Sequence, residues 1–143
     1  MGEKVIKWRV HMKKHPNEVY FYLSTDEGRS QFWAERAEEV GGRIHFQFPN
    51  GTRWAGEVLE RMPPYVFAVR YFGGSEARFE LTENPPNETD LTLTDTGVAD
   101  SWLEEVKAGW VSVLLTLKAA VEHGVDLRNH NSVRTWEQGY CDN

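Results

Sequence analysis

The feature that most constrains this chain is a single apolar stripe near its C-terminal end. Trp102, Leu103, Val106, Trp110, Val113, Leu114, Leu117 and Val121 fall three or four residues apart within 101–123. That spacing puts them on one side of an amphipathic helix. Ser101 and Glu104 have the spacing of a capping box at its start, and Gly124 suits the left-handed residue that closes a helix. Lys118 and His123 lie toward its negative end. Such a helix is about 35 Å long at about 1.5 Å per residue.

The surface it packs on is written in a different period. From 35 to 97 apolar and polar residues alternate, interrupted at Gly41-Gly42, Pro49-Asn50-Gly51, Pro63-Pro64, Gly73-Gly74 and Pro85-Pro86. Turn signals about 8–12 residues apart predict a meander of antiparallel strands. Ile44, Phe46 and Phe48 oppose Arg43, His45 and Gln47, and Ala77, Phe79 and Leu81 oppose Arg78, Glu80 and Thr82. Leu91 and Leu93 continue the inward set. Six strands are expected here, preceded by one over 4–13 whose apolar face is Ile6, Trp8, Val10 and Met12.

Between the first strand and the meander, Pro16 suits a first helical position, with Val19, Tyr20 and Leu23 as the buried side. Ser24 and Glu27 are spaced as the capping box of a second short helix ending near Trp33. The order is strand, two short helices, six strands, one long helix. One helix cannot cover seven flat strands, so the sheet must curl around it. The expected fold is α+β, of helix-grip type, with a domain over 1–124. The tail 125–143 is polar, but Val133, Trp136 and Tyr140 recur at helical spacing; it is expected to dock on the domain or on a second subunit.

Composition narrows the class of function. With 143 residues the chain fits one domain, and 40% hydrophobic with 27% charged residues is a globular balance. A net charge of −6 repels a phosphate backbone, which argues against nucleic acid as a partner. No apolar run is long enough for membrane insertion. Cys141 stands alone and the start shows no apolar signal-peptide core, so a cytoplasmic setting is expected and the Asn50 and Asn87 triplets read as turns.

Arg53-Trp54-Ala55-Gly56-Glu57-Val58 followed by Pro63-Pro64, then Thr89-Asp90-Leu91-Thr92-Leu93, then Gly109-Trp110 with Leu114 and Leu117, resembles one family in order and spacing. The chain is similar to the activator of heat shock protein 90 ATPase homologue family, within the START-like, birch-pollen-allergen-like superfamily. The ending GVDLRNHNSVRTWEQGY looks like a bacterial, single-domain branch. The resemblance implies a cavity between sheet and long helix, which superfamily relatives use for lipids, sterols, polyketides or hormones. The eukaryotic activator that names the family carries an additional N-terminal domain contributing to chaperone binding, with no counterpart in these residues.

Catalytic signatures are sparse. Phosphate loops, dinucleotide fingerprints, His-Glu-x-x-His and Cys-x-x-Cys do not occur, the five histidines are scattered, and no catalytic residue, cofactor or metal is assigned. Phe46, Trp54, Val58, Phe79, Val106, Trp110, Val113 and Leu117 are expected to line the cavity, with Arg70, Glu57 and Glu60 as its candidate polar groups. Gly109, interior to the helix, suggests close approach of a strand or ligand.

Three functions fit this pattern. The first is binding of a small hydrophobic or amphipathic molecule. The second is a module stimulating a chaperone ATPase. The third is a cyclase or dehydratase-type enzyme steering protons with Glu57, Glu60 or Arg70. A homodimer is a further expectation, because an open sheet leaves an edge and the tail offers Trp136 and Tyr140.

Overall fold

The computed structural model describes residues 5–143, so Lys4 of the expected first strand lies outside the described residues. In chain order the elements are β1 (Val5–Met12), α1 (Pro16–Ser24), α2 (Asp26–Arg29), β2 (Arg36–Val40), β3 (Arg43–Gln47), β4 (Arg53–Met62), β5 (Val66–Arg70), β6 (Glu76–Asn84), β7 (Glu88–Thr96) and α3 (Leu103–His123). The seven strands form one curved antiparallel sheet in the order β1-β7-β6-β5-β4-β3-β2. The α+β helix-grip architecture is therefore present, with α3 on the inner face.

Register shows why. Phe67 faces Phe79 and Phe79 faces Leu93, and all three side chains are fully buried, while Arg78 and Glu80 point the other way. The β2–β3 hairpin turns on Gly41 and Gly42 at φ 60° and 78°, the left-handed pair that a two-residue turn matched to sheet twist requires. In β4 the register slips after Val58: Val58 faces Val69, but Glu60 faces Ala68. This bulge reverses the facing of everything beyond it.

The caps differ from expectation. Ser24 completes α1, and Thr25 caps α2, its Oγ1 accepting from the Gly28 N–H at 2.9 Å. The second helix is a single turn and the chain reaches Trp33 through further turns. The Ser101–Glu104 box does not form either. A 3-10 turn over Asp100–Trp102 leads into α3, so Ser101 lies ahead of the capping position and no side chain caps the helix. Gly124 closes α3 in the left-handed conformation, as expected.

Gly109 is exposed, and a Cβ added there meets nothing within 4 Å. The expected close approach of a strand is absent. Gly109→Ala is accordingly expected to raise stability by about 1 kcal/mol in chemical denaturation. A lowered midpoint would mean that the backbone at 109 is in contact after all. Among the described residues no helix is long and apolar enough to cross a membrane.

Candidate functional site

The inner face of the sheet meets α3 in a cluster of aromatic rings. Trp33 lies 5.1 Å from Phe46, 5.8 Å from Tyr71, 5.4 Å from Phe79 and 6.0 Å from Trp110, ring centre to ring centre. Its Nε1–H donates to the Tyr71 hydroxyl at 3.0 Å. Tyr71 in turn packs on Trp110 at 4.9 Å. Tilted and edge-on pairs of this kind add about 0.5–1.5 kcal/mol each beyond the area they bury.

The eight apolar residues singled out from the sequence all belong to this core or pack directly on it. Phe46, Phe79, Trp110 and Leu117 are fully buried, whereas Trp54, Val58, Val106 and Val113 are half-buried. These half-buried residues, with Leu103 and Phe72, pack against the core; its rim, where Trp54, Phe72 and Trp102 meet ahead of α3, is called the groove below. At the rim Trp54 stacks on Phe48 at 4.6 Å and meets Phe72 at 5.0 Å, and Phe72 meets Trp102 at 5.3 Å. The space behind the rim is filled by rings. Open surface clefts lie elsewhere, beside α1 at Lys14, Asn17, Phe21 and Tyr22.

One carboxylate stands among these rings. Asp95 is fully buried, and its Oδ2 accepts from the Trp110 Nε1–H at 2.8 Å. Its Oδ1 makes no hydrogen bond of regular geometry, nor does the Oγ of neighbouring Ser75, nor the Nε1–H of Trp54. Burial raises the Asp95 carboxyl above its usual range, with Ser75 and Trp110 working the other way. Burial likewise pushes the Tyr71 hydroxyl well up.

A carboxyl whose folded value lies above its unfolded one contributes stability below about pH 4, and loses it as pH rises through the folded value. Asp95→Asn removes this dependence and keeps an acceptor for Trp110. The difference in Tm between variant and parent is therefore expected to be more favourable to the variant at about pH 7 than at about pH 4. A difference independent of pH would show that Asp95 titrates alike in both states.

The polar groups expected in the cavity are not there. In β4 the inward positions are Trp54, Gly56 and Val58, so Glu57 points outward opposite Arg43. Glu60 is turned outward by the bulge and accepts from Arg78 Nη1 at 2.6 Å. Arg70 shares its face with Val66 and Ala68, away from inward Phe67 and Val69; it is exposed and donates to the Gly74 carbonyl. Asp95 is instead an ionisable group that faces inward beside the rings. It is in phase with Leu91 and Leu93, which is the signal that could have found it. Trp33 and Tyr71 lie beyond the reach of periodicity, one in a turn and one just past a strand end.

Two histidines bridge carboxylates at the surface: His11 between Asp90 (2.7 Å) and Glu88 (2.6 Å), and His130 between Glu35 (2.6 Å) and Asp126 (2.7 Å). Among the described residues no three His, Cys, Asp or Glu side chains are grouped to hold a metal ion.

Comparison with known proteins places this geometry. The family model described as Activator of Hsp90 ATPase homolog 1-like protein matches residues 7–122. An Aha1 dimer from Colwellia psychrerythraea is 27% identical with a TM-score of 0.75, the match covering 85% of this chain and 98% of that one. A protein from Staphylococcus saprophyticus is 20% identical with a TM-score of 0.74, over 87% of this chain and 96% of its own. A protein of the dynemicin biosynthetic locus, 20% identical with a TM-score of 0.72, is matched by 85% of this chain over 48% of its own length. The last two show the fold alone. No curated protein matches the chain.

Proposed function

The chain belongs to the Activator of Hsp90 ATPase homolog 1-like family, and from that premise we propose that it binds a small apolar or amphipathic molecule in the groove between α3 and the β3–β5 side of the sheet. The observation that carries this reading is a half-buried aromatic edge beside a buried donor without a partner, the Trp54 Nε1–H. Ligand sites are mostly apolar with a few placed polar groups, and buried polar atoms are otherwise almost always satisfied.

Because rings fill the space behind the rim, binding requires the first turn of α3, where Leu103 and Val106 are half-buried, to move away from Phe72, ahead of the point at which Trp110 anchors the helix on Asp95. A homodimer is the assembly this reading carries. The Colwellia relative is a dimer, and Val111 and Leu115 leave the solvent side of α3 apolar.

Native mass spectrometry of the full chain against a panel of alkylphenols, fatty acids and polycyclic alcohols tests the proposal. One bound molecule per protomer is expected from the panel. Retention of none, at concentrations where a lipid-binding control is saturated, would contradict it.

A further inference from the structure

Residues 125–143 lie beyond the family match, which ends at 122, yet they fold against the shared frame. Thr135 is fully buried and makes a capping box with Gln138. Arg128 is buried as well, its guanidinium donating to the Ser30 and Ala34 carbonyls at 2.8 Å each. These two points keep the segment docked. Between them stands His130, whose ring lies between carboxylates from distant parts of the chain. Its Nδ1 is 2.6 Å from Glu35 Oε1, in the run into β2, and its Nε2 is 2.7 Å from Asp126 Oδ2.

That geometry sets the protonation state. A neutral imidazole has one N–H and one lone pair, so it donates to one carboxylate only and turns a lone pair toward the other at hydrogen-bond distance. Two donors are needed, and the ring is therefore an imidazolium. Burial and the Arg128 charge work against it, but the hydrogen bonds to Asp126 and Glu35 raise it above its ordinary value. Burial alone would raise Asp126 too; hydrogen bonds from Arg128 and His130 outweigh it and hold that carboxyl at about 2. Among the described residues the charged groups at His130 are Glu35 from the body of the fold, and Asp126 and Arg128 from its own segment. Its side chain is 39% exposed, so solvent can exchange the proton. The backbone adds a second observation. His130 has φ 55°, which no other non-glycine residue among the described ones shares in the left-handed region. Such a conformation persists where surrounding contacts hold it, and the two carboxylates are the hydrogen-bond partners of this side chain.

We propose that His130 is a proton-operated clasp: as an imidazolium it fastens residues 129–134 to Glu35, and as a neutral ring it lets that stretch loosen while Arg128 and Thr135 keep the rest of the segment docked. A group whose folded value is raised contributes its stability below the unfolded value and loses it as pH rises through the folded one. The clasp is therefore closed at about pH 6 and open at about pH 9. It controls the order of this stretch whether or not a molecule binds in the groove.

Hydrogen exchange in the full-length protein, followed by NMR and corrected for the intrinsic pH dependence of amide exchange, tests the clasp. The probes are the Asn129 and Arg134 amides, which donate to the Asp142 and Asn131 carbonyls. Their protection is expected to fall about tenfold between about pH 6 and about pH 9. In His130→Asn, whose side chain tolerates the left-handed backbone but carries no charge, protection at both amides is expected to be low at either pH. The His130 ring resonances of the parent should titrate above the ordinary value of about 6.5. Equal protection at the two pH values in the parent would overturn the clasp. So would a pH dependence that survives in His130→Asn, since another group would then cause it. A ring that titrates at or below about 6.5 would overturn the imidazolium bridge itself.

Discussion

Replacing Gly56 with alanine is expected to destabilise the domain by about 3 kcal/mol or more, a large effect for the addition of one methyl group. A Cβ at this position falls 1.7 Å from the carbonyl oxygen of Arg70 and 2.7 Å from its carbonyl carbon. Both are backbone atoms of the neighbouring strand, so no side-chain rotation relieves the clash. Gly56 faces inward opposite Ile44, two residues before the β4 bulge, at the place where β4 runs against the end of β5. Room for a methyl group requires parting two central strands. The urea midpoint of Gly56→Ala against the parent measures this. A change of less than about 0.5 kcal/mol would mean that the strands do not approach as described. Gly109→Ala is the internal contrast: the same chemical change on the exposed side of α3 has the opposite expected sign.

Trp110→Ala is expected to remove about 5 kcal/mol, comparable to the whole stability of a marginal domain. Its ring is 2% exposed and touches Trp33, Tyr71 and Phe79, so truncation leaves a cavity at the centre of the aromatic cluster. It also withdraws the one regular hydrogen bond to the buried Asp95 carboxyl, leaving it only its neighbour Ser75. Trp110→Phe separates the two contributions. It keeps most of the packing but loses the donor, for an expected cost of about 1–3 kcal/mol. Adding Asp95→Leu to Trp110→Phe is expected to recover part of that cost, since the carboxyl is then no longer stranded. If Trp110→Phe were neutral, Asp95 would have another partner.

Much of the architecture was legible because two periods report it directly. Alternation through Ile44, Phe46, Phe79, Leu81, Leu91 and Leu93 marked the inner face, and the stripe from Val106 to Val121 marked the helix laid on it. What escaped was whatever changes phase without changing composition. The bulge after Val58 turns Glu60 from an inward position to an outward one, and nothing in Glu57-Val58-Leu59-Glu60 announces it. Glu57 and Arg70 were placed by their presence inside strands rather than by phase, and phase turns both outward. Asp95 shows the converse: its phase with Leu93 was plain, but a carboxylate contradicts the habit of expecting apolar residues inside.

Caps were legible only in part. His15 and Pro16 start α1 as that proline suggested, whereas the 3-10 turn before α3 displaced the expected cap, because a tighter turn shifts which residue sits at the helix start. The segment 125–143 was the least legible. Its docking depends on Arg128 reaching main-chain carbonyls of Ser30 and Ala34, about a hundred residues earlier in the chain, a contact no local pattern encodes.

The central claim is that the groove beside α3 receives a small apolar molecule, and the six tryptophans provide the readout. Trp54 stands at the edge of the proposed site and Trp110 in the core next to it, whereas Trp8 packs against α3 elsewhere, its Nε1–H bonded to the Lys107 carbonyl and its ring beneath the Lys107 ammonium. Titrating the isotopically labelled protein with the molecule retained in native mass spectrometry, and following the indole N–H resonances by NMR, addresses the site directly. The Trp54 and Trp110 resonances should shift in a saturable way while that of Trp8 stays in place. A saturable shift confined to Trp8, or to no tryptophan at all, would contradict the assignment of this groove as the binding site.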